Sequence, residues 1–125
     1  MDLTRVPHES LPSIRAYGGG GFRIAGAHYT SAVLVHPGGI CPLGLVDMVG
    51  FGAAFAREIA DLAPRPDLLL VGTGETIEPL ADDALGVLRA AAIAVETMAT
   101  GPACRTFNVL LGEGRRVAAV LFPVA

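Results

Sequence analysis

The chain contains no lysine. All nine of its basic residues are arginine, they are scattered, and only Arg115 and Arg116 are adjacent. Tracking a phosphate backbone needs clustered cations, so nucleic acid is not an expected partner. Cysteine is scarce as well. Cys41 and Cys104 lie far apart, neither belongs to a CxxC pair, and His8, His28 and His36 form no ligand-spaced cluster with them. That pattern predicts no metal site and no cofactor, and two free thiols in a reducing compartment. Long apolar runs are missing too. "VAAVLFPVA" falls far short of the roughly 20 residues that a spanning helix needs. The start, "MDLTRVPHES", has neither the basic nor the apolar region of a secretory signal. Together these absences predict a cytoplasmic protein without membrane insertion.

What is present is apolar and small. At 125 residues with 52% hydrophobic content, the chain suits a single domain over 1–125, with residues 1–11 as a loose arm. A domain of this size buries roughly two thirds of its unfolded surface, so it needs no disulfide or metal.

"SIRAY" and "FRIAG" flank Gly18 to Gly21 and predict an antiparallel hairpin. "HYTSAVLVH", His28 to His36, reads as one longer strand, and "PGGICPLGL" as a loop. Phe51, Phe55, Ile59 and Leu62 recur at helical spacing until Pro64 and Pro66 end the pattern. "DLLLVGTG" has the continuous apolar run of a buried parallel strand. Helix over 79–91, strand over 93–98, helix over 102–111 with Gly112 as cap, and strand in "RRVAAVLF" complete the order. The expected fold is α/β: a compact three-layer domain with a mixed central sheet. βαβ units make its C-terminal half, and the N-terminal hairpin is an appendage.

Strands 68–72 and 93–98 are expected to be parallel neighbours. Their C-terminal ends would then share the edge where α/β sheets hold ligands. Gly72, Thr73, Gly74, Glu96 and Thr100 fall there, followed by Cys104, Arg105 and Asn108. "VGTGET" is neither a Walker motif nor a complete GxGxxG. Glu75, Glu78, Asp82 and Asp83 behind it would repel a nucleotide. Cys104, placed at about the third helical position beside Arg105, could be a reactive thiol. Asn108 lies one turn on, and Arg105 could fork onto Glu96 or Glu75. In one reading these residues form a pocket with an anion-binding arginine. In the other, Cys104 is a buried packing residue, Arg105–Glu96 is a structural ion pair, and Asn108 bonds backbone. No histidine lies near in sequence to serve as a base, so no catalytic residue is assigned.

"LLLVGTGE" and "IAVETMATGPACRTFNVLLGEGRRVAAVLFP" together resemble a small domain family of unknown function. Its eukaryotic relatives include mitochondrial complex I assembly factor three and an adipogenesis-associated single-domain protein. The likeness is strongest over Asp67 to Pro123. It rests on Gly72–Thr73–Gly74 and on Glu96, Met98, Thr100, Ala103, Cys104, Arg105, Thr106, Phe107 and Asn108. In the loop occupied by "GGICPLGL", where the family often has an aromatic, this chain has none. The resemblance implies a compact three-layer α/β domain with no catalytic residue to carry over. It also implies a protein that acts through protein contacts, as an assembly factor does, rather than as an enzyme. A homodimer is a further expectation, since small apolar-rich domains often hide surface by pairing. The competing reading is a small-molecule or anion-binding protein, or an enzyme, using a cleft at Cys104, Arg105 and Asn108.

Overall fold

The computed structural model describes residues 13–125; the expected arm, 1–11, lies outside the described residues. The chain begins with three short strands, β1 (Ile14–Gly18), β2 (Gly21–Ile24) and β3 (Ala27–Tyr29). They form an antiparallel sheet in that order. Gly18, Gly19 and Gly20 hold φ of +118°, +60° and +82°, a run that residues with a Cβ resist, so the turn must fall here.

Next come β4 (Val33–His36), β5 (Gly39–Pro42), α1 (Ala53–Ala60), β6 (Leu68–Gly72), α2 (Asp82–Ala90), β7 (Ala94–Met98), α3 (Thr100–Gly112) and β8 (Val117–Leu121). The central sheet runs β5-β4-β8-β6-β7. β6 lies parallel to both β7 and β8, whereas β4 is antiparallel to β5 and β8. Leu70 sits between Glu96 and Ala119.

Alternation along β6 and β8 divides the core in two. Leu69, Val71, Ala118 and Val120 face α1 and α2, where they meet Phe51, Phe55, Ile59 and Leu88. Leu70, Ala119 and Leu121 face α3 and the small sheet, against Phe107, Leu111, Phe22 and Ile24. The result is three layers with a sheet buried on both sides, as its near-continuous apolar strands require. From β6 the chain steps outward to β7 and then back past β6 to β8. Right-handed crossovers in opposite directions put α2 and α3 on opposite faces.

The expected mixed α/β architecture is present, and four local readings change. His28–His36 is not one strand: it divides at Thr30–Ala32 into β3 of the small sheet and β4 of the central one. Continuous β-propensity did not reveal that the chain changes layer there. Gly39–Pro42 is a strand rather than a loop, paired with Val33–His36. Pro42 is tolerated because β5 is an edge strand, where a missing N–H breaks no ladder. α2 starts at Asp82, after Pro79. α3 starts two residues early, and its left-handed closing residue is Gly114 (φ +77°), not Gly112. Gly114 N–H donates to Leu111 and Arg115 N–H to Leu110.

α3 lies close on β6 because Gly72 has no side chain. A Cβ there would come within 2.9 Å of Leu121 Cδ2, 3.0 Å of Thr100 Cα and 3.1 Å of Ala103 Cβ. Gly72→Ala is therefore expected to destabilise by about 1–3 kcal/mol through overpacking. Gly86→Ala, on exposed α2 with no atom near the new methyl, is expected to stabilise by about 0.5–1 kcal/mol. Denaturant unfolding of both variants checks the contrast.

Candidate functional site

The C-terminal ends of β6, β7 and β8 and the start of α3 converge as the parallel pairing demands. Thr73 N–H donates to Met98 O at 2.8 Å, and Thr100 N–H to Gly74 O at 2.9 Å. The Thr100 hydroxyl, fully buried, accepts from Gly74 N–H at 2.9 Å and donates to Phe122 O at 2.7 Å. Thr73 Oγ1 lies 2.6 Å from Thr76 O and 3.2 Å from Met98 O, and accepts from Glu78 N–H at 3.0 Å. The two threonines thus cross-link the turn after β6 to the ends of its neighbours. Gly72, Thr73, Gly74 and Thr100 are brought together, and they bond one another and the backbone of Thr76, Glu78, Met98 and Phe122.

The second half of the cluster points elsewhere. Helix α3 begins with Ala99 as its capping position, so Cys104 falls in the second turn, past the first-turn position expected from Pro102. Its side chain is buried at 2% exposure among Ala103, Phe107 and the sheet. Burial pushes the thiol up from 9.0 to about 12, against the opposing pull of the Arg105 cation. A thiol in that state is a poor nucleophile at neutral pH. Asn108 makes a two-point clamp on β1. Its Oδ1 accepts from Ile14 N–H at 2.7 Å and its Nδ2 donates to Ile14 O at 2.9 Å. It substitutes for a strand neighbour and ties the small sheet to α3.

Arg105 does not fork onto a carboxylate. Its Nη1 donates to the Tyr17 hydroxyl at 2.8 Å, whose ring lies over Gly101, where a Cβ would sit 2.8 Å from the Tyr17 oxygen. Glu75 instead accepts from Ala125 N–H at 3.1 Å, and Glu96 is exposed on edge strand β7. The pairing with Tyr17 was not legible because it joins residues 88 positions apart across two layers. Among the described residues no group of three or more His, Cys, Asp or Glu is placed to hold a metal. His36 accepts Gly38 N–H through Nδ1 at 3.1 Å, which supports the β4–β5 turn.

Three clefts lie on the surface of the described residues. A small cleft of about 90 Å³ in the three-stranded sheet is bordered by Tyr17, Arg23 and His28. Two larger open clefts, of about 410 and 450 Å³, flank the loop 43–50. One lies against Thr30–Ala32 and Pro123, the other against Glu78–Asp82. None of the three is lined by Gly72, Thr73, Gly74, Glu96, Thr100, Cys104, Arg105 or Asn108. The loop carries Val46 and Val49 at 88% and 90% exposure, and Ile77 stands at 67% beside the second large cleft. Sequence reasoning passed over this ridge. Its signal was "VDMVG", apolar residues in a segment with no helical or strand period to bury them.

The family described as "Protein of unknown function (DUF498/DUF598)" matches residues 14–122. An uncharacterized protein of Rhodobacter capsulatus is 40% identical over 116 residues, 92% of this chain and 86% of its own length. NADH dehydrogenase [ubiquinone] 1 alpha subcomplex assembly factor 3 of Xenopus tropicalis is 34% identical over 123 residues, 97% of this chain and 67% of that protein. A crystal structure from Bartonella henselae, of a protein described as an outer membrane protein, superposes with a TM-score of 0.84 at 37% identity. It covers 91% of this chain and 96% of its own. Among the described residues no helix is long and apolar enough to cross a membrane.

Two outcomes follow from the α3 geometry. Cys104 is expected to stay unmodified by iodoacetamide between pH 7 and 9 in the native protein and to react once denaturant is added. Because folding raises its pKa from 9.0 to about 12, the folded state holds this proton more tightly. The stabilising contribution is present below pH 9 and is lost as pH climbs toward 12. Asn108→Ala is expected to cost about 1–3 kcal/mol, since it strands both backbone groups of buried Ile14. Unfolding followed by tyrosine fluorescence measures it.

Proposed function

The chain belongs to the family described as protein of unknown function (DUF498/DUF598), and from that premise we propose that it is a non-enzymatic partner-binding protein of the assembly-factor kind. The observation that carries this reading is the exposed apolar ridge of Val46, Val49 and Ile77 beside two open clefts. Clustered large apolar side chains left in water mark protein contact surfaces more often than they mark chemistry. The likeness to a protein named as a complex I assembly factor supports the same reading, with a role in respiratory NADH dehydrogenase assembly as its specific form. In this reading the chain acts in the cytoplasm.

The residues Gly72, Thr73, Gly74, Glu96, Thr100, Cys104, Arg105 and Asn108 serve, in this account, to seat α3 on the sheet rather than to hold a ligand. The internal hydrogen bonds of Thr73, Thr100 and Asn108 and the sealed thiol support that role. An anion bound by Arg105 in a crystal grown with phosphate would argue for a pocket instead.

A photo-crosslinking residue placed at Val49 is expected to trap one protein in living cells. The same residue at Val109, an exposed apolar position on α3, should trap only background. Equal and diffuse labelling from both positions would contradict the proposal. In a deletion strain the amount of assembled NADH dehydrogenase on a native gel is expected to fall. An unchanged amount would separate the partner-binding role from that particular enzyme.

A further inference from the structure

The cleft between Met48–Val49 and Glu78–Asp82 has an apolar floor and an acidic rim. Met48, Val49, Pro79 and Leu80 supply the apolar surface. Glu78 and Asp82 line it, Asp47 adjoins Met48, and Asp83 follows Asp82, all four exposed. Among the described residues no arginine lines this cleft. Asp82 and Asp83 stand in the first turn of α2, where a helix end offers only about half a positive charge. Two carboxylates exceed that, and Glu78 lies outside the helix, so the rim stays negative.

Charge elsewhere sharpens the contrast. From Ser13 to Val46 there is no acidic residue, while Arg15 and Arg23 are present. Val46 and Val49 therefore stand, in sequence, where the segment bearing the small sheet gives way to an acidic one.

We infer that this cleft docks a segment of a partner protein that presents apolar anchors flanked by lysine or arginine. The inference rests on the partner-binding reading and names the chemistry of the partner. Complementary charge steers encounter and suppresses wrong partners, while the apolar anchors supply most of the affinity. Two other occupants fit poorly. A second copy pairing through the same patch about a two-fold axis would set Glu78 and Asp82 against their own equivalents. An anionic lipid surface would meet the same repulsion.

The test uses the whole chain and three short synthetic peptides with identical leucine spacing, whose flanking positions are lysine, glutamate or serine. Amide-resolved NMR follows each titration. The lysine-flanked peptide is expected to bind tightest, to shift Met48, Val49, Glu78 and Ala81, and to weaken as salt rises. Glu78→Gln is expected to weaken it about two- to fivefold. Val49→Ser, which removes an exposed anchor at no cost to the core, is expected to weaken it about tenfold. Glu78→Lys should narrow the preference for the lysine-flanked over the glutamate-flanked peptide, since Asp47, Asp82 and Asp83 remain. Equal affinity for all three peptides, no binding by any, or shifts confined to the cleft at Tyr17 and Arg23 would overturn the inference. So would the same amides shifting on simple dilution with a doubled mass, which would make a second copy the occupant. A partner trapped at Val49 in cells would leave the broader function standing in each of these cases.

Discussion

The fold turns on how closely α3 can approach the sheet beside β6. Gly72 removes the one side chain that would hold the helix off, and the Thr100 hydroxyl then binds the turn after β6 and the end of β8 at once. That threonine is fully buried, and its hydroxyl bonds the half-buried Gly74 N–H and the buried Phe122 carbonyl. In a dry setting a bond not made costs more than a made bond gains, so the junction tolerates only a side chain with one donor and one acceptor at this reach. Threonine fits. From this point outward the other contacts of α3 follow. Cys104 and Phe107 turn into the core, Asn108 reaches β1, and Arg105 meets Tyr17 across Gly101.

The arrangement divides labour between two sides of the molecule. In the layer of α3 and the small sheet, the polar side chains of Thr100, Arg105 and Asn108 are taken up by internal contacts. The loop 43–50 and the segment before α2, by contrast, leave large apolar side chains in water beside open clefts. Among the described residues no second sheet or helix covers Val46 and Val49. A polar cluster spent on architecture beside apolar side chains left on the surface fits the proposed partner-binding role. This is the physical basis of the partner-binding proposal, and it stands independently of the likeness to an assembly factor.

Much of the architecture was legible where one signal dominated. "LLLVG" and "AVETM" read as parallel neighbours because a continuous apolar run ending in glycine has few other homes, and the helix between them has a clear period. The same logic placed Gly74 and Thr100 at one edge. Signals that depend on tertiary context were not legible. The passage from β3 to β4 crosses between sheets inside a run of uniform β-propensity. β5 is hidden by two glycines and a proline that an edge strand happens to tolerate. Arg105 was expected to seek a carboxylate because charge is the strongest local cue, yet the hydroxyl of Tyr17 reaches it from a different layer. Asn108 as a backbone clamp was foreseeable as a type of role, although its partner Ile14 was not. The exposed ridge went unread because composition shows how much apolar surface a chain has, not where the fold leaves it uncovered.

The central claim is that the Thr100 junction is architecture and the loop ridge is the working surface. Thr100→Val, which keeps shape and deletes the hydroxyl, separates the two most directly. Measured by denaturant unfolding, it is predicted to lose about 1–3 kcal/mol, while a crosslinker at Val49 still captures the same partner under conditions where the variant is folded. Unchanged stability together with loss of capture would contradict the account, because it would make this buried edge part of the binding function and not of the frame.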